Sequence, residues 1–256
     1  MRLQSRSATW RFNDMLNFSL FLNTRGRAKL LLNFLSSVWV NTKFRDKIEV
    51  IVNYDDDDEE THLIANYQFN LNVKFIKGPR PQSLHTSINE MSRLSIGENL
   101  FVCNDDIQIV TQNWDEIALN KIQEYKNSQD IEDNIYYCRT FCNSSDRDVS
   151  KSYCSFPIIS KKATEVLGFF MYEEFKTLGG DSSIYKVYDQ INRVIDLTEV
   201  KIDHIFHNTI QAVVNPDKTA VEYRQKYFEN YIDPHSFDVS KGVQKLKNYI
   251  NANKKH

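Results

Sequence analysis

Short apolar runs alternate with segments of helical period through the first half of this chain. That alternation restricts it to an α/β domain built on a largely parallel sheet. Residues 18–22 read as a first strand, and Leu30, Leu31, Phe34, Leu35 and Val38 mark one face of the helix that follows. Residues 48–53 form a second strand. The acidic run 55–60 opens a second helix holding Leu63, Ile64, Tyr67 and Phe69, where its charge suits the positive helix N-terminus. Residues 73–76 make a third strand, and a third helix spans 83 to 95, with His85, Asn89 and Arg93 spaced to share one face. Beyond these, a helix begins near Trp114, strands fall at 135–141, 156–160 and 200–206, and helical spacing covers 181–194, 219–231 and 239–251. Residues 143–152 form a polar loop of the kind that covers sites.

The fourth strand carries the chemistry. Leu100-Phe101-Val102-Cys103 is an apolar run that ends in Asn104-Asp105-Asp106. Adjacent carboxylates in an apolar setting are costly unless paired or coordinating a cation, so the pair marks a place for a divalent ion; the plainer reading is a polar turn. In an open α/β sheet, ligands bind beyond the carboxyl ends of the strands, so residues just after each strand converge on one crevice. Here they are Asn23, Thr24 and Arg25, then Asp55 and Asp56, then Arg80 and Gln82, then Asp105 and Asp106. They supply acceptors for a base and ribose, cations for phosphate and a metal ligand. The later members of the acidic run read as a solvated helix start.

Composition sets the outer bounds. The 256 residues are expected to form one domain, with Lys and Arg (32) nearly balancing Asp and Glu (34). Nothing in that balance calls for nucleic acid. Cys103, Cys138, Cys142 and Cys154 contain no Cys-x-x-Cys pair and are expected to be buried thiols. No run approaches the ~18 apolar residues that span a bilayer, and the first residues lack a signal-peptide centre. A cytoplasmic or membrane-peripheral location is therefore expected. No Gly-x-Gly-x-x-Gly follows an early strand, which argues against a redox dinucleotide enzyme.

The segments from Phe18 to Arg27, Ile48 to Asp56 and Leu100 to Asp106, followed by Gly179-Gly180-Asp181, resemble in order and spacing the family 2-like glycosyltransferases of GT-A type found in bacteria and viruses. The resemblance covers about residues 17 to 210. It implies a Rossmann-type, mostly parallel central sheet flanked by helices, with C-terminal helices. The nucleotide-binding half would span about 17–110, the acceptor half about 111–210 and a helical extension about 217–256. It also implies transfer of a sugar from a UDP- or GDP-type donor to a glycan or other hydroxyl acceptor, with Mn2+ or Mg2+ bridging the diphosphate.

By the same resemblance Asp106 is the direct metal ligand, Asp55 the base contact, Asp181 the base of an inverting reaction, and His204 or His207 a metal or diphosphate contact. His204, preceded by Asp203, matches the family pattern better. The chain departs from that pattern at Asn104, where the family's metal-binding Asp-x-Asp element has its first carboxylate. An amide there can still meet ribose or a metal-bound water, but it lowers metal affinity. Asp181 could equally cap the helix beginning at Ser182, and His85 or Asn89 is expected near the sugar. The competing readings are a sugar-nucleotidyltransferase, a glycoside hydrolase and a catalytically silent binding module.

Overall fold

A computed structural model describes residues 16–143, 153–175, 179–205 and 232–254. The expected helix at 219–231, residues 144–152 of the polar loop, Phe206 and His207 lie outside them. Strands β1 (Phe18–Thr24), β2 (Ile48–Asp55), β3 (Asn72–Gly78) and β4 (Asn99–Val102) alternate with helices α1 (Ala28–Asn41), α2 (Glu59–Ala65) and α3 (Leu84–Leu94). Then come β5 (Ile107–Ile109), α4 (Trp114–Ser128), β6 (Tyr137–Cys142), β7 (Ile158–Ser160), α5 (Lys161–Leu167), α6 (Gly180–Asp189), β8 (Val194–His204) and α7 (Ser240–Ala252).

The strands form one eight-stranded sheet among the described residues, in the order β3-β2-β1-β4-β7-β6-β8-β5. The first four are mutually parallel, and β6 and β8 run parallel to each other, whereas β7 and β5 are antiparallel to their neighbours. This is the α/β class expected from the alternation.

Helices cover both faces, which is why β1, β2 and β4 read as nearly unbroken apolar runs. Side-chain alternation sorts each strand between two cores. Phe18, Leu20 and Leu22 of β1 join Leu31, Phe34 and Val38 of α1 and Trp114 of α4 in one. Phe21 turns the other way, to Met91 of α3 and to α5, α6 and α7, and meets Phe170 edge-on at 5.1 Å. The Trp114 indole lies 4.9 Å from Phe18 and donates to Thr42 Oγ1 at 2.9 Å, satisfying the polar group that it buries.

The element boundaries differ from expectation where tertiary pairing overrides local pattern. The run 100–110 is two strands: β4 stays in the parallel sheet, while β5 crosses to pair with β8, leaving Asn104, Asp105 and Asp106 in the turn between. Helix α6 stops at Asp189 instead of Val194, because Val194 and Ile195 pair with Tyr137 and Cys138 of β6. Tyr67 and Phe69 lie beyond the end of α2. Helix α5 was not anticipated, although its signals are present: Ser160 caps Ala163 N at 3.3 Å, and Gly168 closes it at φ 90°.

The edge of the sheet opposite the strand ends is locked by a buried carboxylate. Glu49, fully buried in β2, accepts from Ser19 Oγ at 2.5 Å, Ile96 N at 2.7 Å and Lys74 Nζ at 2.5 Å. Ser19 Oγ in turn accepts from Gly97 N at 2.8 Å. This brings the turn before β4 so close to β1 that a Cβ on Gly97 would lie 2.5 Å from Phe18 C and 2.6 Å from Ser19 N. Both are backbone atoms and cannot step aside. Gly97→Ala is expected to destabilise the protein by about 2 kcal/mol or more. Urea unfolding measures this, and an unchanged midpoint would contradict the packing described.

Candidate nucleotide-sugar site

The parallel register of β1, β2 and β4 brings their carboxyl ends to one edge: Thr24 stands beside Tyr54, and Phe21 beside Val102. At that edge the sequence-predicted residues of the first, second and fourth strands meet. Thr24 Oγ1 donates to Asp105 Oδ2 at 2.8 Å. Asn23 Oδ1 accepts from Asn53 Nδ2 at 3.0 Å and from Ser87 Oγ at 2.5 Å, tying β1 to β2 and α3. Arg25 Nη1 reaches Asp55 Oδ2 at 2.6 Å, and both its terminal nitrogens grip Asp57. The hydrogen bonds that Arg25 donates to Asp57, working against burial and joined by that to Asp55, raise the guanidinium above its ordinary value. Asp56, Arg80, Gln82 and Asn104 are exposed.

Two members of the acidic run have more definite roles than a solvated helix start. Asp58 caps α2 through Thr61 N at 3.1 Å and also accepts from Gly26 N at 2.9 Å, so one carboxylate fixes both the β1–α1 turn and the start of α2. Asp57 holds Arg25. The contacts to Gly26 and Arg25 could not be read from spacing, because both cross between two strand ends that are adjacent only in the sheet.

Asp105 and Asp106 are buried, at 4% and 2% exposure. Burial raises the Asp105 carboxyl to about 6, opposed by the charge of Arg27 and assisted by that of Asp106. Arg27 Nη1 lies 3.0 Å from Asp105 Oδ1 and 3.5 Å from Asp106 Oδ2. It was not among the predicted site residues; its position three residues past the end of β1 was the available signal.

Because β5 pairs with the end of β8, with Ile107 opposite His204, the imidazole Nε2 comes to 3.2 Å from Asp106 Oδ1. Burial alone would lower the imidazole, but hydrogen bonds to Asp106 and Cys142 raise it to about 9. Thus the predicted pair of Asp106 and His204 is brought together. Asn143 Oδ1 accepts from His204 N at 3.1 Å, and Phe156 packs edge-on against the ring at 5.5 Å.

Among the described residues no group of three or more His, Cys, Asp and Glu side chains forms a metal cluster. The donors present nevertheless fit Mg2+ or Mn2+. Adjacent ligand atoms around such an ion lie about 3 Å apart, and Mg2+ characteristically takes one or two protein ligands and completes its shell with water and substrate phosphates. One carboxylate oxygen and one imidazole nitrogen at 3.2 Å match that pattern.

The predicted shared face of α3 exists, but it holds protein. His85 Nδ1 is 3.1 Å from Tyr172 O, and Arg93 Nη2 is 3.8 Å from Glu173 Oε1. Asn89 Oδ1 accepts from Phe170 N at 2.8 Å and Met171 N at 2.9 Å, while its amide donates to Met171 O and Glu173 Oε1, both at 2.9 Å. All four hydrogen-bonding positions of the Asn89 side chain are filled, leaving no polar atom for a sugar.

The clamped segment leads towards Gly179-Gly180-Asp181. Gly179, at φ 92°, caps α6, so Asp181 sits inside the first turn and is not the N-cap that the sequence allowed; its Oδ1 accepts from Ser182 N at 2.8 Å. Gly180 packs against the His85 ring, and an added Cβ would lie 2.7 Å from Nε2. The glycine pair therefore permits a close approach within the protein itself. Tyr172 is buried against Phe169 and Phe237, whereas Tyr153 is exposed. All four cysteines are buried thiols, with no disulfide between them. No helix among the described residues is long and apolar enough to cross a membrane.

No family model and no curated protein matches this chain. Solved structures do. TarS of S. aureus aligns at 15% identity and TM-score 0.59, over 92% of this chain and 43% of TarS, so the chain spans less than half of that protein. TarS 1–349 in complex with UDP-GlcNAc aligns at 14% identity and TM-score 0.58, over 92% of this chain and 72% of that one. The mannosyltransferase PcManGT from Pyrobaculum calidifontis, in complex with GDP-Man and Mn2+, aligns at 13% identity and TM-score 0.58, over 92% and 74%. The chain has the GT-A-type fold.

Two outcomes are expected. Asn89→Ala strands Phe170 N and Met171 N inside the core and should cost about 3 kcal/mol, with faster amide exchange at 170–173 as the local sign. The second concerns Asp105. Its folded carboxyl holds a proton to about pH 6 against an ordinary value of 3.8, so its stabilising contribution is full below pH 3.8 and is lost as pH rises towards 6. Asp105→Asn should flatten that decline in a stability–pH profile; parallel profiles for the two proteins would contradict the assignment.

Proposed function

We propose that this chain is a glycosyltransferase that moves a sugar from a nucleoside-diphosphate donor to an acceptor hydroxyl, assisted by a divalent cation and proceeding with inversion. The observation that carries this reading is the meeting of Thr24, Asp55, Asp105 and Asp106 at the carboxyl ends of adjacent parallel strands, with His204 at 3.2 Å from Asp106. The nucleotide-sugar complexes of structural neighbours, one holding Mn2+, support the donor class and the use of a metal.

In this reading Asp55 accepts from the nucleobase and is held in orientation by Arg25. Asn23 and Asn104 face the ribose side, and Arg80 and Gln82 lie along the exposed entry to the diphosphate. Asp106 and His204 would hold Mn2+ or Mg2+, which would offset charge developing on the departing diphosphate. Asp181, in the first turn of α6, takes the proton from the acceptor hydroxyl as its oxygen attacks the anomeric carbon, and the nucleoside diphosphate leaves from the opposite face. The packing of α6 against His85 through Gly180 keeps that carboxylate fixed relative to the donor half.

Calorimetric titration with UDP, GDP, CDP and dTDP, with and without Mn2+, tests the donor site and names the base. Asp106→Ala should abolish metal-stimulated binding. Asp181→Ala should bind donor normally but lose transfer by about 10²- to 10⁴-fold. The reverse pattern would overturn both roles, and no nucleotide binding under any condition would overturn the donor site itself.

A further inference from the structure

We propose that Arg27 is a resident counter-cation for the Asp105–Asp106 pair, one that gives up its place to the divalent ion and turns to the donor diphosphate when the metal–nucleotide complex binds. The proposal rests on the donor-site reading above and assigns Arg27 a positioning role within it.

Four observations support this exchange. Two adjacent carboxylates lie buried at 4% and 2% exposure, an arrangement that requires compensating positive charge whether or not a metal is bound. Arg27 supplies part of that charge, through Nη1 alone, at 3.0 and 3.5 Å. A permanent structural pair more often uses two parallel nitrogen–oxygen contacts, as Arg25 does on Asp57.

The carboxylates are also held independently of Arg27. Asp105 accepts from Thr24 at 2.8 Å and Asp106 faces His204 at 3.2 Å, so withdrawal of the guanidinium leaves both in position to receive a cation. Lastly, the Arg27 side chain is 32% exposed and has room to turn, and its backbone occupies the N-cap of the 14-residue α1. The first turn of that helix carries no acidic residue, so its positive end and a released guanidinium would face the same anion.

Removing the charge of Arg27 should therefore move two affinities in opposite directions, which a purely structural residue would not do. Titration with MnCl2 alone should show Arg27→Ala and Arg27→Gln binding Mn2+ about fivefold more tightly than the unaltered protein, because the competing cation is gone. Arg27→Lys, which keeps the charge, should stay close to the unaltered value. Titration with UDP and GDP in saturating Mn2+ should show the two neutral variants binding the preferred nucleotide about tenfold more weakly.

Mn2+ affinity that is unchanged or lower in both neutral variants would overturn the proposal while leaving the donor site standing, provided that the unaltered protein binds a nucleotide. Failure of the unaltered protein to bind any nucleotide would overturn the donor-site reading and this proposal with it.

Discussion

The burial of two neighbouring carboxylates at the end of a central strand is the constraint on which this site depends. Asp105 and Asp106 lie where water cannot solvate them, and their charge must be met from the protein. Three side chains from two separate pieces of chain meet it: Thr24 and Arg27 from the end of β1 and the turn after it, and His204 from the end of β8. None of these partners is near 105 in sequence. They arrive because β1 pairs in parallel with β4, and because β5 leaves the parallel sheet to pair with β8.

A second consequence of the same sheet is the layering of charge beyond the strand ends. Arg25 answers Asp55 and Asp57, and Asp58 joins Gly26 to the start of α2, so the turn after β1 is held from both sides by the loop after β2. Positive and negative groups alternate across the edge, and the turn is fixed by contacts to backbone as well as side chains. If the site accepts a diphosphate and a cation together, as proposed, it needs such preset orientation, because mobile charges would have to be ordered at the moment of binding.

Helix α3 is joined to the chain after α5 by polar contacts with little tolerance for change. Helix α3 presents His85, Asn89 and Arg93 to residues 170–173, and Asn89 alone makes four hydrogen bonds there. Gly180 then closes against the His85 ring. The turn that carries Asp181 is thus packed against α3.

The amino-acid sequence by itself determined the fold class, the order of the first four strands and the identity of the strand-end residues. These follow from local causes: apolar runs long enough for strands buried on both faces, helical spacing between them, and polar residues where each strand stops. It also placed His85, Asn89 and Arg93 on one face, which is a matter of helical period. What that face touches was decided only by tertiary structure, as were the grip of Asp57 on Arg25, the approach of Arg27 to the carboxylates and the split of residues 100–110 into two strands. Each of these depends on which strand lies beside which, a choice made by long-range pairing and by the shared core. A polar side chain declares in sequence what it can bind; which partner it meets is set by the sheet order that brings distant strand ends within 3 Å.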